Sequence, residues 1–324
     1  MKKIAVLFIF TATLTQSFGW GFYAHKVINR LAVFTLPPEL FAFYKLHIED
    51  ITEHAVDPDK RRYSDPEEAF RHYIDLDYYE VSVPVDTVPR RWKDAVAKYT
   101  EDTLKAYGIV PWHIQVMMNR LTAAFIEKNT ERIIRISAEI GHYIADAHVP
   151  LHATLNYNGQ LTGQQGIHGF WESRLPELYS DNYDFFVGRA RYIDNELEEA
   201  WRASEGSFAA KDSVLEFERD LNKRFDADRK FTYEMKGQTR VRNYSEEYSA
   251  AYHRILGDQV ERRMRQSIIS VGSMWYTAWV NAGKPDLEKG AAQPKKLSDD
   301  ERKRIIAEEQ KLMWERKMIG RQEN

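Results

Sequence analysis

The sequence predicts an all-α fold: a single multi-helix domain followed by a C-terminal accessory helix. Three observations lead there. Apolar residues recur at every third or fourth position, as Ile133, Ile136, Ile140 and Ile144 do, which is the repeat of one helical face. Period-two alternation, the mark of a half-buried strand, is scarce. An apolar fraction of 43% over 324 residues suffices for a large core, and 13% aromatic residues suit helices packed around bulky side chains as well as stacking surfaces.

Each element follows in order. Residues 1–19 are expected to be a signal peptide: Lys2 and Lys3 precede a short apolar run from Ile4 to Leu14, and Ser17 and Gly19 place small residues before a cleavage point after Gly19. That run is too short to span a bilayer as a helix, and an uncleaved anchor is the alternative. The expected product is secreted or periplasmic. Val27, Leu31 and Ala32 share a helical face that Pro37-Pro38 ends. Residues 111–126 and 129–147 read as two amphipathic helices, 166–179 as another, and 246–283 as a long one broken once. The Gly/Asn-rich stretch 153–166 is a polar loop. Residues 20–283 thus form one domain, and 284–324 a linker and a charged helix. Ser298 with Glu301 makes the capping box that opens this helix, which runs to about Met318.

Composition excludes several classes. There is no cysteine, so no disulfide and no lipoprotein anchor. An exported chain of this kind is held by its core or by metals. Without the first nineteen residues, 44 Lys and Arg face 49 Asp and Glu, which argues against binding nucleic acid through a basic patch. Affinity for phosphate has to come from another source.

The histidines supply one. His142 and Asp146 stand at i and i+4 on a predicted helix and project from one face. Pro150 stops that helix and turns His152 in from another direction, and His168 with Glu172 repeats the i, i+4 pair. Upstream, Asp57 precedes His72. His and carboxylate one turn apart are what Zn²⁺ takes from a helix. A single pair reads equally well as an ion pair, but the repeated pairs favour metal. His47, His54, His113, His148 and His253 are read as non-ligands, with His54, three residues before Asp57, the strongest rival.

In order, spacing and ligand type, residues 20–280 resemble the superfamily of bacterial zinc-dependent phospholipases C and single-strand-specific nucleases of the S-one/P-one type. The resemblance implies a trinuclear zinc site. One zinc is expected on the α-amine and carbonyl of a newly exposed Trp20, with His25 and Asp146. A second is expected on Asp57, His72, His142 and the bridging Asp146, and a third on His152, His168 and Glu172. It implies hydrolysis of phosphate esters by water acidified between two zincs, with Asp57, Asp146 and Lys60 as catalytic residues. Lys60 stands where the nucleases have an arginine that steadies the phosphate, and a plain surface role is the other reading. Tyr73 and Asp75 match the aromatic and the acid that hold a base in the nucleases, although core packing also accounts for Tyr73. Tyr157 is a further candidate for substrate contact.

Single-stranded nucleic acid or nucleotides are therefore the expected substrates of a monomer without a protein partner. The choline pocket of the phospholipases is not reproduced, since Tyr23, Pro58 and Ala69 occupy its places. Glu172 and the short interval from His152 to His168 are nevertheless phospholipase-like, so phospholipid is the alternative substrate. A zinc-stabilised binding module without turnover is the third reading.

Overall fold

The computed structural model describes residues 21–80, 87–236, 239–287, 298, 300, 301, 303, 304, 307, 319 and 321. Trp20 and the expected leader lie outside them, as does most of the expected charged helix. The described residues are mostly helical, with one small hairpin.

The first helix, α1 (Phe22–Ala32), buries Ala24, His25, Ile28, Asn29 and Ala32 on one side. Val27 and Leu31 are only partly buried. Pro37-Pro38 ends the stretch as expected, but Pro38 also opens α2 (Pro38–Leu46), where a missing N–H is tolerated. Short helices α3 (Ile48–Glu53), α4 (Asp57–Arg61) and α5 (Leu76–Glu80) follow, then α6 (Trp92–Tyr99) and α7 (Glu101–Ala106).

The two expected amphipathic helices are α8 (Val110–Ile126) and α9 (Thr130–Ala147), joined by a tight turn. Ile133, Ile140 and Ile144 of α9 are buried, each contributing roughly 1.5–3 kcal/mol relative to exposure. From Ile140 to Ala147 no residue of α9 faces solvent, so its last two turns are enclosed on every side. Tyr44 and Trp275 clamp its middle: the rings stack at 4.8 Å, the Tyr44 hydroxyl meets Ser137 Oγ at 2.8 Å, and Trp275 Nε1 donates to Ser137 O at 3.0 Å.

Beyond α9 come α10 (Ile167–Gly169), a π-helical turn at Phe170–Arg174 and α11 (Leu175–Tyr179). The longest element, α12 (Glu196–Arg224), packs on α8, on α9 and on the 3-10 turn Pro150–Ala153. The antiparallel hairpin β1 (Phe231–Lys236) and β2 (Thr239–Tyr244) pairs Phe231 with Tyr244 and Met235 with Arg240. Tyr244 stacks on Phe170 at 3.8 Å, and Arg174 donates to Glu234, which ties the hairpin to the π turn. Gly257, at φ +63°, makes the single break expected within 246–283, between α13 (Glu246–Leu256) and α14 (Gln259–Asn281). Ser298 and Glu301 exchange the hydrogen bonds of a capping box.

Candidate metal centre

Three groups of buried side chains each bring their ligand atoms within 4.8 Å of one another: His25 with Asp59 and His142; His72 with His142 and Asp146; and His152 with His168 and Glu172. The groups are contiguous. Asp146 Oδ2 lies 2.9 Å from His72 Nδ1 and 3.2 Å from His142 Nε2, while Oδ1 lies 3.4 Å from His25 Nε2 and 3.9 Å from His152 Nε2.

Local folding explains the placement. The period of α9 puts His142 and Asp146 on one face, in the enclosed last turns. Helix α1 delivers His25, whose ring stacks on His142 at 3.8 Å. This approach needs Gly141, because a Cβ there would stand 2.0 Å from Asn29 Oδ1. Asn29 instead donates to Ala138 O at 2.9 Å and holds α1 against α9. His168 and Glu172 face each other at 2.8 Å across the change from α to π geometry, a device common at functional sites. Gly21 N donates to Ser173 Oγ at 3.0 Å, so the start of α1 abuts the same turn.

Hydrogen bonds to the backbone orient the rings. Nδ1 of His142 meets Ala55 O at 2.9 Å, that of His152 meets His72 O at 2.8 Å, and that of His168 meets Tyr157 O at 2.9 Å. In each case the Nδ1–H donates to the carbonyl, and Nε2 is turned toward the carboxylates. This is how metal-ligating histidines are usually held. His72 is mounted the other way round, with Nδ1 toward Asp146 and Nε2 3.4 Å from Glu68 Oε1. Glu68 is fully buried and also accepts from Arg61, Arg71 and the Tyr143 hydroxyl.

The electrostatics follow from burial and charge. Burial pushes the His25 imidazole well below its ordinary range, and the charge of His142 pushes it further. Burial also lowers His72, but hydrogen bonds to Asp146 and Glu68 outweigh it and raise the ring to about 9. Against the cost of burial, the charges of His142 and His152 hold the Asp146 carboxyl well below the usual carboxylate range. Asp146 also sits in the last turn of α9, at the negative end of the helix dipole, where a carboxylate is unfavourable and a cation is favoured. Buried carboxylates ringed by imidazole nitrogens are a hard-and-borderline donor set suited to divalent ions. The three clusters could hold metal ions.

One carboxylate differs from expectation. Asp57 belongs to none of the three groups: it pairs with His54 at 2.6 Å and Lys60 at 3.3 Å on the partly exposed side of α4. Asp59 stands in its stead, with Oδ1 3.6 Å from His142 Nε2 and 3.8 Å from His72 Nδ1. Residues two apart on a helix point about 200° apart, so only one of the two acids can face the cluster. Lys60 accordingly lies with Asp57, outside the cluster, whereas Arg62, three residues after Asp59, is buried with Nη1 3.8 Å from it.

The remaining expected residues also find places. His25, His72, His142, Asp146, His152, His168 and Glu172 come together; Trp20 is outside the described residues. Tyr73, Asp75 and Tyr157 gather round the guanidinium of Arg321: the rings lie 4.2 and 3.8 Å from its central carbon, and Asp75 Oδ1 accepts from Nη1 at 2.7 Å. His148, read as a non-ligand, meets Ile144 O through Nδ1, and burial followed by the charge of Arg263 lowers it to about 3. Sequence reasoning missed Asp59, Arg62, Glu68 and Arg321. Glu68 stands four residues before His72, the same spacing that marked His142 with Asp146, and Asp59 is followed three residues on by an arginine. Compared with known proteins, the chain matches no family model and no curated protein.

Proposed function

We propose that the protein is a secreted zinc-dependent phosphodiesterase, best described as a nuclease or 3′-nucleotidase acting on single-stranded nucleic acid. The observation that carries this reading is the run of three buried ligand groups made contiguous by Asp146. In the proposal, His25, Asp59 and Asp146 hold one zinc together with the amino terminus at Trp20. His72, His142, Asp59 and Asp146 hold a second, and His152, His168 and Glu172 hold a third. When bound, such ions polarise phosphoryl oxygens and acidify water.

The chain's own residues account for the rest. Asp59, Asp146 and Glu172 leave three divalent ions only half neutralised, so an acidic protein acquires a cavity that attracts phosphate. Arg62 supplies a planar donor suited to a phosphate, where Lys60 would offer only a point charge. Tyr73 and Tyr157 offer ring faces and Asp75 a carboxylate, which supports recognition of a base; one stacked base is worth about 1–3 kcal/mol. Glu68 fixes the orientation of His72.

Glu172, with the short segment from His152 to His168, favours phospholipid as a second substrate, as does the exposed Leu161 on the same loop. A side-by-side assay with zinc on single-stranded DNA, RNA, 3′-nucleotides, phosphatidylcholine vesicles and bis(p-nitrophenyl) phosphate separates the readings. Turnover of the nucleic acids, abolished by chelator and restored by zinc, is expected; no turnover of any ester leaves a binding module. Asp146→Ala is expected to lose the two zincs that Asp146 shares with Asp59, and so more zinc than a change at any histidine of the cluster.

A further inference from the structure

The pocket formed by Tyr73, Asp75 and Tyr157 is filled by the chain itself. The Arg321 guanidinium lies between the two rings, donates to Asp75 through Nη1, and donates through Nη2 to Leu151 O and Thr154 O, both at 2.9 Å. The backbone around it is also fastened: Ile319 N donates to Arg62 O at 2.8 Å, and Arg62 Nη2 donates to Arg321 O at 2.7 Å. Both side chains of the Arg321–Asp75 pair are almost wholly buried.

These contacts touch the metal centre at several points. Tyr73 follows His72, Leu151 precedes His152, and Tyr157 O accepts from His168 Nδ1. Arg62, which holds the Arg321 carbonyl, also faces Asp59. A guanidinium is flat, presents adjacent N–H donors along one edge and stacks on aromatic faces. A nucleobase with an amino group beside a ring N–H presents the same face and edge. The two cannot occupy the space between Tyr73 and Tyr157 together.

We propose that Arg321, docked with Ile319, is a built-in competitive inhibitor that occupies the base pocket in place of substrate. The proposal rests on the phosphodiesterase reading for the identity of the competitor, but the docking itself does not. Full-length protein and its Arg321→Ala and Arg321→Lys variants decide the matter by two measurements.

The first is amide hydrogen exchange at Ile319, which reports docking without any turnover. Its amide is expected to be protected in the parent chain. Protection should fall at least tenfold in Arg321→Ala, partly in Arg321→Lys, and in the parent on addition of guanosine 3′-monophosphate. An Ile319 amide exchanging at the rate of an unstructured peptide, or one indifferent to the nucleotide, overturns the proposal.

The second is the ratio of kcat/KM on a single-stranded oligonucleotide to that on bis(p-nitrophenyl) phosphate, which has no base. Arg321→Ala is expected to raise this ratio about tenfold, through KM. An unchanged ratio overturns the proposal. If neither ester is hydrolysed, the phosphodiesterase reading fails while the exchange measurement still decides docking and displacement.

Discussion

The substitution Gly141→Ala tests how the candidate metal centre is assembled. A Cβ at 141 would lie 2.0 Å from Asn29 Oδ1, whereas ordinary contact begins near 3.4 Å, so one partner must retreat by about 1.4 Å. The amide of Asn29 is buried and bonded to Ala138 O, so the shift falls on α1. His25 lies one turn from Asn29 on the same face of α1, and its Nε2 stands 3.4 Å from Asp146 Oδ1. Ligand distances tolerate only about 0.2 Å, so a displacement of this size removes His25 from any shared ion. Overpacking costs about 1–3 kcal/mol. Replacing a helical glycine by alanine returns roughly 1 kcal/mol. Net stability is thus expected to change by no more than about 2 kcal/mol, while the protein loses about one of the three zinc equivalents proposed above. Metal analysis of purified protein and urea denaturation measure the two effects. Adding Asn29→Ala, which removes the obstructing oxygen, is expected to restore the zinc. A Gly141→Ala protein with full zinc content would refute the claim that the contact between α1 and α9 builds the site.

Further expectations concern single residues. Asp59→Asn should lower zinc content and Asp57→Asn should not; the reverse result would restore Asp57 as the ligand. His54, hydrogen-bonded to Asp57, titrates above its ordinary 6.5 because that bond and the Asp57 charge outweigh partial burial. Its raised folded value means that the pair adds stability below about pH 6.5, lost as pH rises through the His54 midpoint. An NMR titration should show this midpoint falling in Asp57→Asn; no change would remove the pairing. Arg263 donates to His148 O, Ala203 O and Ser207 Oγ from a buried position, and burial lowers it to about 9. Arg263→Met strands those acceptors and should cost about 2 kcal/mol in urea denaturation. A loss below about 0.5 kcal/mol would contradict it.

Much of the centre is legible in the chain because helix period is local. An i, i+4 pair such as His142 with Asp146 or His168 with Glu172 shares a face wherever the helix goes. The break at Gly257 and the capping box at Ser298 are likewise matters of a few neighbouring residues. The helix α12 escapes such a reading because its buried face includes Ser204, Ser207 and Glu218, which dilute the apolar period. The hairpin at 231–244 escapes because it alternates weakly and leaves Tyr233 and Met235 exposed.

What the sequence by itself determined was the helical class and the residue types of the candidate site, since both are written in spacing along one chain. Tertiary structure decided which acid of Asp57 and Asp59 turns inward, because the rotation of a one-turn helix is set by what packs against it. It also decided that His72 faces Asp146 through Nδ1, with Glu68 behind it. The meeting of Arg321 with Tyr73, Asp75 and Tyr157 joins residues far apart in the chain, and no local period encodes a contact of that range.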